Sequence, residues 1–223
     1  MNKIFLGIIT SLFIFNMSNF SKDKLVTEDD IFYSLIEVSQ GEILQTSVKV
    51  IYYVEESMEM EIKRIEEYFQ GYKISFSKDV NNISILNIIK DETSIEIKGI
   101  DLKDKLQVTI KATVYGDEKK LGELEQLLQE YTKNKEVEAK YYKYMKGKLR
   151  NKKIDNVLQS INNTLVQEGF GSIETLEIDN GYTSVAALNS YLLRDEININ
   201  YSLCSYETST YIFIGTPIID EIY

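Results

Sequence analysis

The sequence predicts an α+β domain in which helices pack on an antiparallel sheet, and three observations carry that expectation. Sixteen tyrosines, nine phenylalanines and many isoleucines and valines stand against a single proline, and branched and aromatic side chains suit a pleated, half-buried surface. Residues 106–114 alternate strictly: Leu106, Val108, Ile110, Ala112 and Val114 are apolar, whereas Gln107, Thr109, Lys111 and Thr113 are polar. That is the pattern of a strand with one buried and one wet face. Residues 58–70 and 154–168 instead carry apolar side chains at helical spacing.

Taken in order, the first segment reads as an export signal over residues 1–21. Lys3 opens it, Ile4 to Phe15 is a run of 12 residues broken only by Gly7, Thr10 and Ser11, and polar Ser18 to Asp23 follows. The run is shorter than the roughly 20 apolar residues of an ordinary membrane span. A buried amino-terminal helix is the structural alternative, and cleavage and retention as an anchor both stay open. Residues 22–223 follow without a Pro/Gly/Ser-rich linker, so they are expected to form a single domain.

Within it, Thr27 is placed to cap a helix carrying Ile31, Leu35 and Val38. A strand is expected over 43–54. A helix over 58–70 follows, with Met58, Ile62, Ile65 and Phe69 on its apolar face, Glu61, Lys63, Arg64, Glu66 and Glu67 elsewhere, and Gly71 as its stop. Strands over 72–77, 83–89, 93–99 and 106–114 come next. Gly116-Asp117 turns into a helix bearing Leu121, Leu124, Leu128 and Tyr131. The second half has a strand over 138–149, then a helix with Ile154, Val157, Leu158, Ile161 and Leu165 inward, which Gly169-Phe170 ends as Gly71-Tyr72 ended the first. Gly71 and Gly169 are 98 residues apart. A unit of strand, helix, glycine-aromatic and three strands is therefore expected twice, over about 40–115 and 138–215, with chance similarity of supersecondary structure as the alternative. Pro217, lacking an N–H, is expected to close the last strand and leave Asp220 to Tyr223 near the sheet edge.

Composition excludes several chemistries. With no histidine, neither a Ser/His/Asp nor a Cys/His arrangement can form, and imidazole ligation of a metal is impossible. The lone Cys204 can make neither an internal disulfide nor a zinc site and reads as a buried small hydrophobe on an alternating strand. Gly169-Phe170-Gly171 lacks the further glycine and the Lys-Ser/Thr pair of a phosphate loop. Ser184 lacks the second glycine of a nucleophile elbow, and a hairpin turn at Asn180-Gly181 accounts for its segment. No cofactor or metal is expected. The adjacent carboxylates Asp29-Asp30, Glu55-Glu56 and Glu66-Glu67 read as solvated surface. A net charge of −10 and a pI near 4.7 oppose binding to a nucleic-acid backbone.

The carboxy-terminal half carries a resemblance. Gly181-Tyr182-Thr183-Ser184, then Asn198 to Tyr206 with Ile199, Tyr201 and Leu203 alternating, then Gly215-Thr216-Pro217-Ile218 and an acid before Tyr223 resemble the YwmB-like family. These are exported proteins of Gram-positive spore-formers with no established biochemical function. The resemblance is best over the last 50 or so residues. It implies a fold similar to TATA-box-binding proteins, a saddle of two repeats, and fold likeness does not carry function. An acidic, exported chain that lacks a basic concave strand set with intercalating phenylalanines departs from a DNA-binding saddle.

One stretch resists the acidic background. Lys140, Lys143, Lys146, Lys148, Arg150, Lys152 and Lys153 are interleaved with Tyr141, Tyr142 and Tyr144. Two readings fit. The strip could hold anionic wall polymer or lipid headgroups, or it could be a solvated sheet face balancing Glu136 and Glu138. The resulting expectation is a non-enzymatic binding or scaffolding protein at the cell envelope, outside the cytoplasmic membrane. The alternative is a cell-envelope glycan hydrolase using paired carboxylates.

Overall fold

The computed structural model describes residues 27–80, 83–90, 92–116, 119–150, 153–188 and 197–219. The export segment expected over 1–21, Asp117, Lys152 and Asp220 to Tyr223 lie outside the described residues.

Thr27 caps the first helix as its sequence position suggests. Its Oγ1 accepts from the Asp30 N–H at 3.1 Å while the Asp30 carboxylate accepts from the Thr27 N–H at 3.3 Å, a reciprocal capping box. Helix α1 (Glu28–Val38) buries Ile31, Phe32, Leu35 and Ile36 and leads into strand β1 (Gly41–Val54). Helix α2 (Met58–Tyr68) and strands β2 (Lys73–Val80), β3 (Ile83–Lys90), β4 (Thr93–Asp101) and β5 (Leu106–Tyr115) complete the first half. The second half runs α3 (Leu121–Asn134), β6 (Ala139–Leu149), α4 (Ile154–Gln167), β7 (Ser172–Ile178), β8 (Gly181–Leu188), β9 (Ile197–Ser205) and β10 (Thr210–Thr216). Each half thus has four strands after its second helix: the first half matches the four read over 72–114, and the unit expected twice has one strand more than its three. Gly71 and Gly169 end α2 and α4 with φ of 90° and 94°, the left-handed conformation that glycine adopts without a Cβ penalty.

All ten strands form one antiparallel sheet in the order β2-β3-β4-β5-β1-β6-β10-β9-β8-β7. The halves join where β1 pairs with β6, Val48 opposite Lys143 and Val50 opposite Tyr141. β10 lies between β6 and β9, so Ile218 and Ile219 follow a strand of the sheet interior. Pro217 does end the strand, which stops at Thr216.

The four helices cover one face. Val48, Val50 and Tyr52 of β1, Ile95 and Ile97 of β4, Val108, Ile110 and Ala112 of β5, Met145 of β6 and Ile199, Tyr201 and Leu203 of β9 turn toward them and are buried. Each fully buried branched side chain contributes about 1.5–3 kcal/mol. Glycine in the strands leaves room for helix side chains: a Cβ at Gly99 would meet Met58 Sδ of α2 at 2.1 Å, and one at Gly147 would meet Ile36 Cδ1 of α1 at 2.7 Å. No helix lies on the opposite face in the described chain.

Candidate binding surface

The strand period of two decides which residues reach that open face. β6 places Lys140, Tyr142, Tyr144, Lys146 and Lys148 on it, with Arg150 exposed just past the strand end, and Ala139, Tyr141, Lys143, Met145 and Leu149 on the helix side. Neighbouring strands extend the surface. Lys49 of β1 stands beside Lys111 of β5 and Tyr142 of β6 in the register, and Lys98 of β4 beside Thr109. Against these lysines the same face carries Glu42, Glu96 and Glu174. Ring faces orient the cations: Lys49 Nζ stands 4.3 Å from the Tyr142 ring centre, and Lys146 Nζ stands 4.9 Å from Tyr211 and 5.5 Å from Phe213. The helix side has the opposite character. Glu28, Asp29 and Asp30 open α1 with no base in its last turn, and α2 and α3 add Glu59, Glu66, Glu67, Glu123 and Glu130 against Lys63, Arg64 and Lys133. An acidic chain therefore does possess a basic strand set, contrary to the sequence expectation, because its charges sort by sheet face.

Lys143 is the correction within the strip. It is 7% exposed, and its ammonium is held by Glu125 at 2.8 Å, Asp29 at 3.0 Å and Glu28 at 3.1 Å. Burial alone would lower its pKa, but the hydrogen bonds to Glu125 and Asp29 and the charge of Glu28 outweigh burial and hold it above the ordinary lysine range. It pins α1 and α3 to the sheet and cannot serve a surface ligand. Asp29, read from sequence as solvated, is one of its partners.

The signature residues perform packing. A Cβ at Gly181 would lie 1.8 Å from the Leu203 carbonyl oxygen, so only glycine lets β8 turn this close to β9. The hairpin expected at Asn180-Gly181 forms one residue earlier, with Asp179-Asn180 as its turn and Gly181 opening β8 opposite Ile178, and the Asn180 carbonyl accepts from the Ser205 N–H at 2.7 Å. Tyr182 donates to Asp155 of α4 at 2.7 Å, Thr183 accepts from Ser202 at 2.9 Å, and buried Ser184 bonds Thr175 at 2.9 Å. A Cβ at Gly215 would meet Ile218 O at 2.6 Å and Ile219 Cα at 2.9 Å. The chain after buried Thr216 therefore doubles back over the open face, where the Pro217 carbonyl accepts from the Asn200 side chain and Ile219 packs on the cluster of Tyr144, Cys204 and Phe213. Burial there pushes the Cys204 thiol up to about 11, in keeping with an inert, packed cysteine.

A second polar arrangement escaped the sequence reading. Glu61, assigned to the wet side of α2, is fully buried. Its Oε1 accepts from Tyr52 at 2.5 Å and Tyr131 at 2.8 Å, and its Oε2 pairs with Lys135. Burial, then the neighbouring phenol and the Glu61 charge, raise the Tyr52 hydroxyl far above the ordinary tyrosine range, and Tyr131 moves the same way. Position was the available signal, since Glu61 lies three residues after Met58 and four before Ile65. An open groove of about 800 Å³ borders this network, lined by its own Tyr131 and Lys135 together with residues including Glu55, Glu56, Arg64 and Glu67. Glu56 is engaged by Arg64, and both oxygens of Glu61 are occupied, which suits a structural carboxylate better than a general acid.

Among the described residues, no helix is long and apolar enough to cross a membrane, and no group of Cys, Asp and Glu side chains is arranged to hold a metal. No protein-family model matches this chain, and no curated protein is significantly similar to it.

Proposed function

We propose that this chain is an exported, envelope-associated binding protein, without enzymatic activity, whose open sheet face takes an anionic phosphodiester ligand. The observation that carries the reading is the sorting of charge: lysines and ring faces gather on the uncovered side of the sheet while the acids gather on the helices. A cationic face on a net acidic molecule orients it toward an anionic surface and keeps its other side away. The export signal expected over 1–21 puts wall polymer and lipid headgroups within reach, and nucleic acid outside it. The fold is proposed to be a saddle of two repeats like that of TATA-box-binding proteins, in keeping with the YwmB-like signature. Two features support this. The same seven-element order occurs in each half, and an offset of 98 residues carries β3 (Ile83–Lys90) onto β8 (Gly181–Leu188).

The test uses the full chain with soluble poly(glycerol phosphate) and with phosphatidylglycerol vesicles at low salt. Binding is expected to fade as salt rises toward about 0.15 M, where the screening length is about 8 Å, and to be lost when Lys140, Lys148 and Arg150 are replaced by Glu. All three are exposed, so the fold should tolerate the change within about 0.5 kcal/mol per site. Undiminished retention of both ligands by that variant would overturn the reading.

A further inference from the structure

Exposed apolar side chains are ordinary when scattered, but here they are not scattered. Among the described residues, the large apolar side chains left exposed on helices are Met60 and Val166, and those in turns are Leu102 and Tyr206. The others are Tyr53, Ile89, Tyr115, Leu176 and Val185 at open-face strand positions, and Ile218 on the segment that crosses that face. The five strand residues are between 44% and 65% exposed.

Their placement has a pattern. Ile89 of β3 and Tyr115 of β5 lie on one wing of the sheet, and Val185 of β8 and Leu176 of β7 lie on the other. β3 and β8 are separated by the seven strand spacings that the order implies, about 34 Å at roughly 4.8 Å each. Lys49, Lys140, Lys146 and Lys148 lie between the wings on the central strands β1 and β6. The surface thus offers cations at its centre and, at both flanks, aliphatic and aromatic side chains with one carboxylate each, Glu96 and Glu174.

A phosphodiester polymer in water has partners for lysine and for a tyrosine ring, but none for Ile89, Val185 or Leu176, which gain nothing unless they leave water. A bilayer interface takes both classes at once. Apolar side chains enter the boundary between headgroups and acyl chains, tyrosine rings settle at headgroup level, and lysine stems lie along the apolar layer with their ammonium groups among the phosphates. Each lysine near an anionic leaflet strengthens binding about fivefold.

We infer that the open face docks on an anionic lipid bilayer, with the Ile89/Tyr115 and Leu176/Val185 wings entering the interface and the central lysines engaging headgroup phosphates. The inference rests on the anionic-ligand reading of this face and goes further by choosing bilayer over polymer.

The chain contains no tryptophan, so Leu176→Trp in the full chain provides a reporter confined to one wing. On phosphatidylglycerol vesicles its emission should move to shorter wavelength and be quenched by brominated acyl chains. On soluble poly(glycerol phosphate) it should not move. Adding Lys140→Glu, Lys148→Glu and Arg150→Glu should weaken vesicle binding by at least about 100-fold. An unchanged urea midpoint for Leu176→Trp shows that the reporter leaves the fold intact. Association through another part of the chain would leave emission at position 176 unmoved and would overturn the inference. If the polymer binds but vesicles give neither shift nor quenching, the bilayer inference falls and the anionic-polymer reading stands. If neither ligand binds, both fall.

Discussion

Replacing Lys143 by Met is the most direct test of how the sheet and helices are tied together. Methionine preserves most of the unbranched stem and removes the ammonium that faces Glu28, Asp29 and Glu125 at 2.8–3.1 Å. Removing one partner of a buried charge cluster costs about 3–5 kcal/mol. The three carboxylates keep 22–30% of their side-chain surface and recover some hydration, so a loss of about 2–4 kcal/mol is expected. At about 2–4 °C per kcal/mol for a chain of this size, the melting midpoint should fall by about 4–16 °C. Lys148→Met, five residues along the same strand but on the open face, is the control and should stay within about 0.5 kcal/mol. Urea melts of both variants, with Glu125→Gln alone and combined with Lys143→Met, complete a cycle in which the pair couples by about 1–3 kcal/mol. Equal midpoints for the Lys143 and Lys148 variants, or strictly additive losses in the cycle, would refute the burial argument.

Two further outcomes follow from the packing. Gly215→Val should displace the segment at 217–219, because its Cβ would start 2.6 Å from Ile218 O; stability should fall by about 1–3 kcal/mol, and carboxypeptidase should trim through Ile219 faster than in the parent, an equal rate contradicting the account. Alkaline stability should be limited by Tyr52, Tyr131 and Lys143, whose folded-state values are all raised. Their contribution is present below their unfolded values near pH 10 and is lost as pH rises beyond it, at about 1.4 kcal/mol per pH unit for each group still protonated only in the folded state. Tyr52→Phe should cost about 1 kcal/mol at pH 8, since Tyr131 and Lys135 still satisfy Glu61, and should flatten the decline of the urea midpoint between pH 10 and 11. A decline as steep as the parent's would count against that assignment.

What the sequence by itself determined was local. Alternation in 106–114 specified β5 and its buried face, Thr27 specified the start of α1, and Gly71 and Gly169 specified the ends of α2 and α4, because each rests on backbone geometry within a few residues. The α+β class, and most element boundaries to within a residue or two, were legible for the same reason. The faces of the basic strip were not. Lys143 and Lys148 look alike in a run of cations, and only the packing of α1 and α3 on one side of β6 brings Glu28, Asp29 and Glu125 to the first and leaves the second in water. Glu61 likewise looked solvated beside Lys63 and Glu66, because the groups that make its burial tolerable, Tyr52, Tyr131 and Lys135, are separated from it by 9, 70 and 74 residues. The interior position of β10, the passage of residues 217–219 over Gly215 and the gathering of exposed apolar side chains on one face are decided by strand order. Strand order is a choice among distant pairings whose hydrogen bonds are alike, so it is settled by tertiary packing and carries little trace in the residues themselves.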